Sequence, residues 1–295
     1  MTLRYAALDD RGVLALGGED ARSWLQGLVS NDIRKLAPER SLYATMLTPQ
    51  GKFLFDFVIV EQADRLWLDT EAARLPDLKK RLGFYKLRSK VTIEEASADW
   101  AVVAAAGEGA PLALGLEPPL PGVARAFAGG IATVDPRLAA LGCRIVAPRP
   151  GLASALEAAG FAGGLDYDAH RLALGVPDGS RDMAPDSAFL LESNVEELNG
   201  VDFDKGCYVG QETTTRTKRR GVVRKRLLPV ESAGALPPPG SIIMLGDKEA
   251  GEMRSSRDGR GLALMRLEFL DESKADHDGF SVGDAKLRVR WPNWI

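Results

Sequence analysis

Cysteine and histidine are scarce in this sequence, and their scarcity excludes several kinds of site. The 295 residues include two Cys and two His. Cys143 and Cys207 lie far apart in the chain, which excludes a local C-x-x-C zinc or redox pair, and a long-range disulfide is not expected in a reducing cytosol. His170 and His277 lie far from Cys207 in the sequence, so nothing in it indicates the base of a Cys-His enzyme. The two cysteines are therefore interpreted as single thiols.

Long apolar runs are also absent. No segment approaches the length that spans a bilayer, and the opening MTLRYAALDDRG has neither the apolar centre of a signal peptide nor the Arg-rich, acid-poor character of a transit peptide. We therefore predict a cytoplasmic protein that has no membrane partner. With 45% hydrophobic residues the chain can form proper cores, and its length predicts two or three domains.

The chain has no excess of positive charge. Its net charge of -3 at pH 7 argues against a general nucleic-acid coat protein, since phosphate binding relies on clustered cations. The bases are instead concentrated between Lys205 and Arg226, directly after an acidic stretch at 192–204. Such a block can contact phosphates, a polyanionic ligand or an acidic protein, or it is a solvated face. We predict Arg219 and Arg220 as partner-binding residues, and nucleic acid is not the expected partner.

The order of the apolar patterns favours interleaved helices and strands. A strand at 12–18 precedes an amphipathic helix at 21–28, and two apolar runs flank a turn at 49–51, which indicates a hairpin. Strand and helix do not alternate strictly, so the pattern favours α+β units with antiparallel sheets over a doubly wound fold. Neither a phosphate-cradling G-x-x-x-x-G-K-[ST] motif nor a dinucleotide-binding G-x-G-x-x-G after a strand occurs.

The rest of the chain adds a second α+β unit and a β-rich end. A helix is predicted near 75–82, a surface loop at 107–122, a short helix at 151–160, and an Asp-capped helix in LDYDAHRLALGVPDG. Further strands are predicted at RLWLDT, VTIEE, WAVVAAA and GCRIVAP. From Val222 onward, VVRKRLLPV, SIIML, EAGEMRSS, GLALMRLEF and AKLRVRW are short strands between turn signals. This spacing favours a small sandwich or barrel.

Cys207 lies in an unusual sequence, KGCYVGQE, at Lys205–Glu212. Lys205 is a neighbouring cation, and the following GQETTTR is compatible with a helix that has Glu212 in its first turn. A cation and a helix N-terminus both favour the thiolate, which is the better nucleophile and the better ligand for a soft metal. The alternative is that Cys207 fills a tight Gly-Cys-Tyr turn. Cys143 lies in an apolar strand and is interpreted as a core residue.

Asp56 is an isolated acid in the apolar run FLFDFVIV. A carboxylate in a buried strand must be paired or must face a cavity, because burying it alone costs too much free energy. Asp56 is therefore either a structural acid or a ligand contact. The segment YKLRSK places an aromatic ring, Tyr85, beside cations such as Arg88, and its alternative interpretation is an exposed strand edge.

The segment KGCYVGQE resembles the K-G-C-Y-x-G-Q-E signature of the YgfZ family, folate-binding proteins that assist iron-sulfur cluster assembly and repair. The longer stretch from GVPDGSRD to RKRLLPV resembles the mitochondrial branch of that family. RGVLALGGEDARSWLQGLVSNDIRKL, PQGKFLFDFVIV and YKLRSKVTI resemble the folate-binding region shared with the glycine cleavage T-protein. The resemblance thus spans nearly the whole chain.

The resemblance implies a fold and a domain order. A folate-binding region with two ferredoxin-like α+β subdomains and antiparallel sheets is expected at 1–221, and a small β-barrel at 222–295. The implied cofactor is tetrahydrofolate in a cavity, and a pterin suits a carboxylate, an aromatic ring and, at its glutamate tail, a cation. The residues expected to bind folate are Asn31, Asp32, Asp56, Tyr85, Arg88 and Arg171.

The resemblance also implies a function in the assembly of [4Fe-4S] proteins. Cys207 would be a ligand of a [2Fe-2S] or [4Fe-4S] cluster shared with an A-type carrier protein, because one thiolate cannot supply the four ligands that such a cluster takes. The other motif residues assigned to this site are Lys205, Tyr208, Gly210, Gln211 and Glu212. The free protein is expected to be a monomer.

Two departures from the T-protein weigh against aminomethyl transfer. The T-protein has two adjacent acids where this chain has Phe55 and Asp56, and its Y-T-G-E-x-G-Y-E segment has no counterpart here. The chain is therefore not expected to be an enzyme of that kind. The alternative functions are a tetrahydrofolate-dependent one-carbon transferase and an accessory protein of tRNA modification, the latter resting on the basic stretch at 218–226.

Overall fold

The computed structural model describes residues 2–221, 223–270 and 277–295. Their contacts divide the chain into two compact units. The first unit comprises Met1–Leu47, Leu54–Leu165 and Leu198–Val209, and the second comprises Thr48–Phe53, Asp166–Glu197 and Gly210–Ile295. Each unit thus draws on distant parts of the sequence. The predicted boundary after residue 221 divides the sequence at a single point, whereas the contacts divide it into units of several segments each. That boundary stays a prediction.

The first unit is α+β. Its elements follow the apolar runs of the sequence, with the predicted strand at 12–18 and helix near 75–82 in place. The two strands of the predicted hairpin are also present, although the turn at 49–51 between them is assigned to the second unit. The elements of the first unit are, in chain order, β1 (Arg4–Ala7), β2 (Arg11–Gly17), α1 (Ala21–Gln26), β3 (Leu42–Leu47), β4 (Phe53–Gln62), β5 (Arg65–Glu71), α2 (Leu75–Lys86), β6 (Thr92–Glu95), β7 (Trp100–Ala106), α3 (Ala110–Ala113), β8 (Ala124–Phe127), β9 (Gly130–Val134), β10 (Cys143–Pro148), α4 (Leu152–Ala158) and β11 (Ala162–Gly163).

Two sheets organise this unit. One sheet has the strand order β3-β4-β5-β2-β6, and the other has the order β11-β1-β7-β10-β9-β8. The pairings are antiparallel in β2–β5, β2–β6, β4–β5, β7–β10 and β9–β10, whereas β1 pairs with the two-residue β11 in parallel. The expectation of antiparallel sheets is confirmed.

Each sheet of the first unit has its own apolar core. The first core gathers side chains from β2, β4 and β5 with the buried faces of α1 and α2, among them Trp24, Leu25 and Leu78. The second gathers β7, β9 and β10 with α4, and Cys143 belongs to it as expected. The expected surface loop at 107–122 contains the short helix α3, which the four prolines of that stretch did not indicate; Ala110 at its start is buried in this second core.

The second unit contains helices and a closed barrel. Its elements are α5 (Tyr167–Leu174), α6 (Gly179–Asp182), α7 (Gln211–Arg220), β12 (Lys225–Glu231), β13 (Ile242–Leu245), β14 (Lys248–Arg257), β15 (Arg260–Arg266), β16 (His277–Val282) and β17 (Ala285–Val289). The barrel closes in the order β12-β15-β14-β13-β16-β17, with β12 pairing to β17. The barrel is confirmed; β16 was not predicted.

The second unit also confirms the predicted helix signals. Helix α5 begins after Asp166, whose side chain accepts a hydrogen bond from the backbone N–H of Ala169, and ends at Gly175 with φ 76°. Helix α7 has Glu212 in its first turn and Lys218, Arg219 and Arg220 in its last turn. Acids at the start and bases at the end of a helix complement its dipole.

Candidate functional site

Cys207 lies in an exposed loop of the first unit, and its thiol is accessible. Cys143, the other cysteine, is buried in β10, and burial raises the pKa of its thiol to about 12. A thiol in that state is a poor nucleophile and a poor metal ligand at neutral pH. The two cysteines therefore differ as the sequence predicted, and Cys207 is the one that can react or bind outside the fold.

Lys205 fixes the start of this loop. Its side chain is buried, and its ammonium donates hydrogen bonds to the backbone carbonyls of Gln26, at 2.7 Å, and Val29. These carbonyls lie at and just beyond the end of α1, where carbonyls lack helical partners and the dipole favours a cation. Burial lowers the pKa of Lys205 to about 8. The sequence predicted a cation that acts on the neighbouring thiol; the contacts show an anchor for the loop.

The backbone of the loop is held on both sides of Cys207. The carbonyl of Lys205 accepts hydrogen bonds from Gln26 Nε2 at 3.2 Å and from Arg34 Nη2 at 3.3 Å. The N–H of Val209 donates to the carbonyl of Gly27 at 3.2 Å. Between these points Gly206 has φ 91°, which a residue with a side chain rarely adopts. The thiol is thus presented from a short segment that is fixed at both ends.

The side chain of Tyr208 is buried, in contrast to that of the neighbouring Cys207. Its ring is buried, and the ammonium of Lys205 lies 4.9 Å from the ring centroid, within the range of a cation–π interaction. Tyr208 and Lys205 therefore support the loop from beneath.

Asp32 and Asn31, both predicted as folate ligands, support the same loop. Asp32 accepts hydrogen bonds from Arg34 at 2.8 and 2.7 Å and from Gln26 at 3.0 Å. The hydrogen bonds from Arg34 lower the pKa of Asp32 to about 2. Asn31 donates through its amide to the carbonyls of Tyr43 and Asn199, each at 2.7 Å. Both side chains are committed to contacts that position Arg34 and the segment leading to Cys207.

The acidic stretch before the motif is attached to the same region. Asp202 forms an ion pair with Lys35 at 2.5 Å, and its N–H donates to the carbonyl of Ser30 at 3.0 Å. The hydroxyl of Ser30 donates to the carbonyl of Gly200 at 2.5 Å. Segment 199–209 therefore lies along segment 26–35 over its length.

Asp56 is part of a buried charge network. It lies 3.6 Å from Arg11 Nη1 and accepts a hydrogen bond from the hydroxyl of Tyr43 at 3.3 Å. Arg11 also donates to Asp69 at 2.7 Å, and Arg144 donates to Asp69 at 2.6 Å. Burial raises the pKa of Asp69, but the two cations outweigh it and hold that pKa below its usual value. Because Arg144 lies on β10 and the other charges lie on β2, β4 and β5, the network joins the two sheets.

The remaining predicted folate residues lie elsewhere. Tyr85 is half-buried near the end of α2, packs against the first core and accepts a hydrogen bond at its carbonyl from Trp24 Nε1. Arg88 is exposed just beyond that helix. Arg171 lies in the second unit, where its buried guanidinium donates to Asp168, Asp182 and Ser255 at 2.7, 2.7 and 2.9 Å.

The last part of the motif belongs to the second unit. Gly210 is the N-cap of α7, with φ 83°, and Gln211 and Glu212 form its first turn. Gly51 lies against this turn, where an added β-carbon would come within 2.9 Å of the carbonyl of Gly210. Arg219 and Arg220 are exposed in the last turn. They have no ion-pair partner among the residues that the structure describes.

Neither a complete metal site nor a membrane span is found in the described ranges. Within 2–221, 223–270 and 277–295, no group of three or more His, Cys, Asp or Glu residues is arranged to hold a metal ion. No helix in those ranges is long and apolar enough to cross a membrane. A metal centre bound through Cys207 would therefore need ligands beyond those that the described residues bring together.

Two family models match the chain. Residues 10–114 match the GCVT N-terminal domain, and residues 224–295 match the C-terminal beta-barrel domain of CAF17. The chain also matches the solved glycine cleavage system aminomethyltransferase T from Bartonella henselae with a TM-score of 0.78. That match covers 100% of this chain and 86% of the other at 14% identity, which shows a shared fold.

Curated relatives match almost the full length. The mitochondrial iron-sulfur cluster assembly factor IBA57 homolog of Mycosarcoma maydis is 37% identical over 99% of this chain and 85% of that protein. The mitochondrial iron-sulfur cluster assembly factor IBA57 of Homo sapiens is 36% identical over 88% of this chain and 76% of that protein. The prediction of a cytoplasmic protein is wrong by this comparison, because both relatives are named as mitochondrial proteins. It rested on the character of the first residues, which does not decide a compartment.

Proposed function

The chain belongs to the family of the IBA57 iron-sulfur cluster assembly factors, and from this premise we propose that it assists the assembly of [4Fe-4S] proteins with an A-type cluster carrier. The YgfZ family, whose signature the sequence resembles, is a related but broader grouping than the IBA57 family. In this proposal Cys207 supplies one thiolate ligand to a [2Fe-2S] or [4Fe-4S] cluster that the carrier holds at the same time. The cluster is the cargo of the protein.

One observation carries the proposal: an accessible thiol on a loop that is fixed at both ends. Lys205 and Val209 hold the backbone on either side of Cys207, so little conformational entropy is lost when the thiol binds a cluster. An iron-sulfur cluster takes four protein ligands, usually thiolates. The described residues bring no second cysteine to this loop, since Cys143 is buried in β10. A partner that supplies the other ligands fits this arrangement.

The replacement Cys207→Ser tests the proposal. A serine hydroxyl is a far poorer ligand for iron than a thiolate, so the variant should keep the fold but lose the cluster-bearing complex. The measurement is anaerobic gel filtration of the chain with a reconstituted A-type carrier, with the cluster followed by its visible absorption.

The matched control is Cys143→Ser in the other thiol. If the complex survives this change, the loss in Cys207→Ser is specific to Cys207 and is not an effect of removing any thiol. Circular dichroism checks that the buried hydroxyl has not disturbed β10. If Cys207→Ser assembles the complex and passes the cluster on as well as the parent chain, the ligand role is wrong and Cys207 is a turn residue.

Four of the six residues predicted to bind tetrahydrofolate are engaged in contacts within the fold. The polar groups of Asn31, Asp32 and Asp56 already bind other groups of the first unit, and Arg171 forms ion pairs within the second unit. No step of the proposed function is therefore assigned to folate. Binding of a reduced folate to the chain stays a prediction.

The alternatives of the sequence analysis have less support. A one-carbon transferase would need Asp56 free to orient or protonate an amine, and this carboxylate is engaged with Arg11 and Tyr43. The tRNA-modification accessory rests on the basic stretch at 218–226, where Lys218 and Arg226 form ion pairs with Glu196 and Glu197. Turnover of a one-carbon substrate or salt-sensitive retention of RNA would favour one of these functions.

A further inference from the structure

The C-terminal end of α2 leaves two large apolar side chains in solvent. Phe84 is 68% exposed and Leu87 is 88% exposed, whereas Leu78 and Leu82 on the other side of the helix are buried. Exposed leucines also occur elsewhere in the first unit, and a single one needs no explanation. Here, however, the two lie three residues apart at the end of one helix. We call residues 79–90 the α2 tip.

The α2 tip is also strongly basic. It contains six bases and no acid. Lys90 forms an ion pair with Glu19 at 2.7 Å. The others have no ion-pair partner among the residues that the structure describes; they are Lys79, Lys80, Arg81, Lys86 and Arg88. Their charges therefore remain available to a negatively charged surface.

The backbone at Leu87 is strained, although its side chain lies outside the core. Leu87 has φ 43° and ψ -115°, a region that glycine adopts without strain and that leucine does not. Its side chain contributes little packing, since it is almost fully exposed. A glycine here would relieve the strain without loss of core contacts. Strained residues of this kind are concentrated at functional positions.

Against the expectation of no membrane partner, we propose that the α2 tip binds the surface of an anionic lipid bilayer, with Phe84 and Leu87 inserted between the lipids and the unpaired cations against their phosphates. Basic and apolar residues combined in this way are typical of segments that lie on a membrane. Each cation near an anionic bilayer strengthens binding roughly fivefold.

The small apolar area favours a bilayer over a protein. A large apolar side chain buries roughly 200 Å², so the two side chains of the tip supply about half of the ~800 Å² that each partner buries in a standard specific protein interface. A bilayer imposes no fixed shape on a group that inserts, so a protruding tip is sufficient.

Sedimentation of the full chain with vesicles tests this proposal. We expect binding to vesicles of phosphatidylcholine mixed with phosphatidylglycerol, weak binding to phosphatidylcholine alone, and release by salt. Reversing two cations with Lys80→Glu and Arg88→Glu should weaken binding roughly 100-fold or more. The controls for changes to the apolar residues of the tip are Leu112→Ser and Leu120→Ser, at leucines that are 65% and 58% exposed but lie outside the tip; they should bind as the parent chain does.

Leu87→Gly separates lipid binding from folding. It should unfold at the same temperature as the parent chain or a higher one, and yet lose affinity for the anionic vesicles. Cys207→Ser should bind the vesicles as the parent chain does, so this experiment tests lipid binding independently of the cluster-ligand role. The proposal is overturned if the parent chain does not bind anionic vesicles, or if the two control variants lose as much binding as the tip variants do. It is also overturned if tip variants lose the A-type carrier while vesicles never bind, because the tip would then be a protein contact.

Discussion

At the scale of single residues, the buried ammonium of Lys205 makes stability depend on pH. Burial lowers the pKa of Lys205 from 10.5 to about 8. Between these values the unfolded chain holds the proton more tightly than the folded chain, so raising the pH favours folding. The penalty for burying the charge is full below pH 8 and disappears as the pH approaches 10.5.

We therefore predict that the free energy of unfolding of the parent chain rises with pH above 8 relative to a Lys205→Met variant. The difference should grow by on the order of 3 kcal/mol across this range. Chemical denaturation at several pH values measures it, and other groups titrate alike in both chains. Parallel curves for the two chains would show that Lys205 keeps its ordinary affinity for the proton and would contradict the role of burial.

The same residue shows how far the sequence could predict the site. The motif predicted an exposed loop at Cys207, and the apolar context of Cys143 predicted a core residue; the exposure of the one and the burial of the other agree with this. The partners of Lys205 are carbonyls of Gln26 and Val29, which lie far earlier in the chain. Only the folded chain brings Lys205 and these carbonyls together. From the sequence alone, Lys205 is therefore predicted to activate the neighbouring thiol of Cys207, whereas its ammonium in fact binds carbonyls at the end of α1.

At the scale of elements, the exposed bases of α7 form a surface that a partner can contact. We predict that Arg219→Glu combined with Arg220→Glu impairs binding to an A-type carrier. The change in the free energy of unfolding should be about 1 kcal/mol, because exposed charges and their interaction with the helix dipole contribute little. Titration calorimetry measures the binding, and thermal unfolding measures the stability.

The control for this prediction lies in the barrel of the same unit. Lys248→Glu combined with Lys286→Glu changes the total charge equally, at exposed bases of β14 and β17. Equal losses of binding in both double variants would mean that net charge matters and the α7 surface does not. A large drop in melting temperature would mean that Arg219 and Arg220 are packed or paired in the fold.

Most elements could be predicted from local patterns, and the exceptions have physical reasons. Strands such as β2 and β4 are mainly apolar runs, with Asp56 as the isolated acid of β4, and α5 has both its Asp166 cap and its closing Gly175. Strand β16 was missed because HDGFSV contains Asp278 and Gly279, which disfavour strands. It forms because β13 and β17 supply backbone partners on both sides, and the sequence of one strand does not reveal its neighbours.

At the scale of the whole molecule, the chain shares a fold with a glycine cleavage system aminomethyltransferase. The shared fold covers all of this chain. The fold alone does not decide function. The resemblance to the T-protein leads us to expect a second acid at position 55, where this chain has Phe55, and Asp56 is bound to Arg11 and Tyr43.

We predict that tetrahydrofolate binds the full chain without being turned over. A ligand that binds the folded state alone raises stability by about 2.7 kcal/mol at 100 times its dissociation constant. Anaerobic titration calorimetry should therefore show heat, the melting temperature should rise, and no aminomethyl group should be transferred. Absence of heat with every reduced folate at saturating concentrations would remove folate binding from the account of this protein.

The variant Asp56→Asn distinguishes the two roles that the sequence left open for this acid. Removing one charge from the buried network leaves Arg11 less well compensated, so we expect a loss of about 2 kcal/mol in the free energy of unfolding. The affinity for tetrahydrofolate should change little if Asp56 is a structural acid, as its contacts indicate. A variant that unfolds at the parent temperature but no longer binds folate would instead make Asp56 a ligand contact, and the network would then be secondary to the binding site.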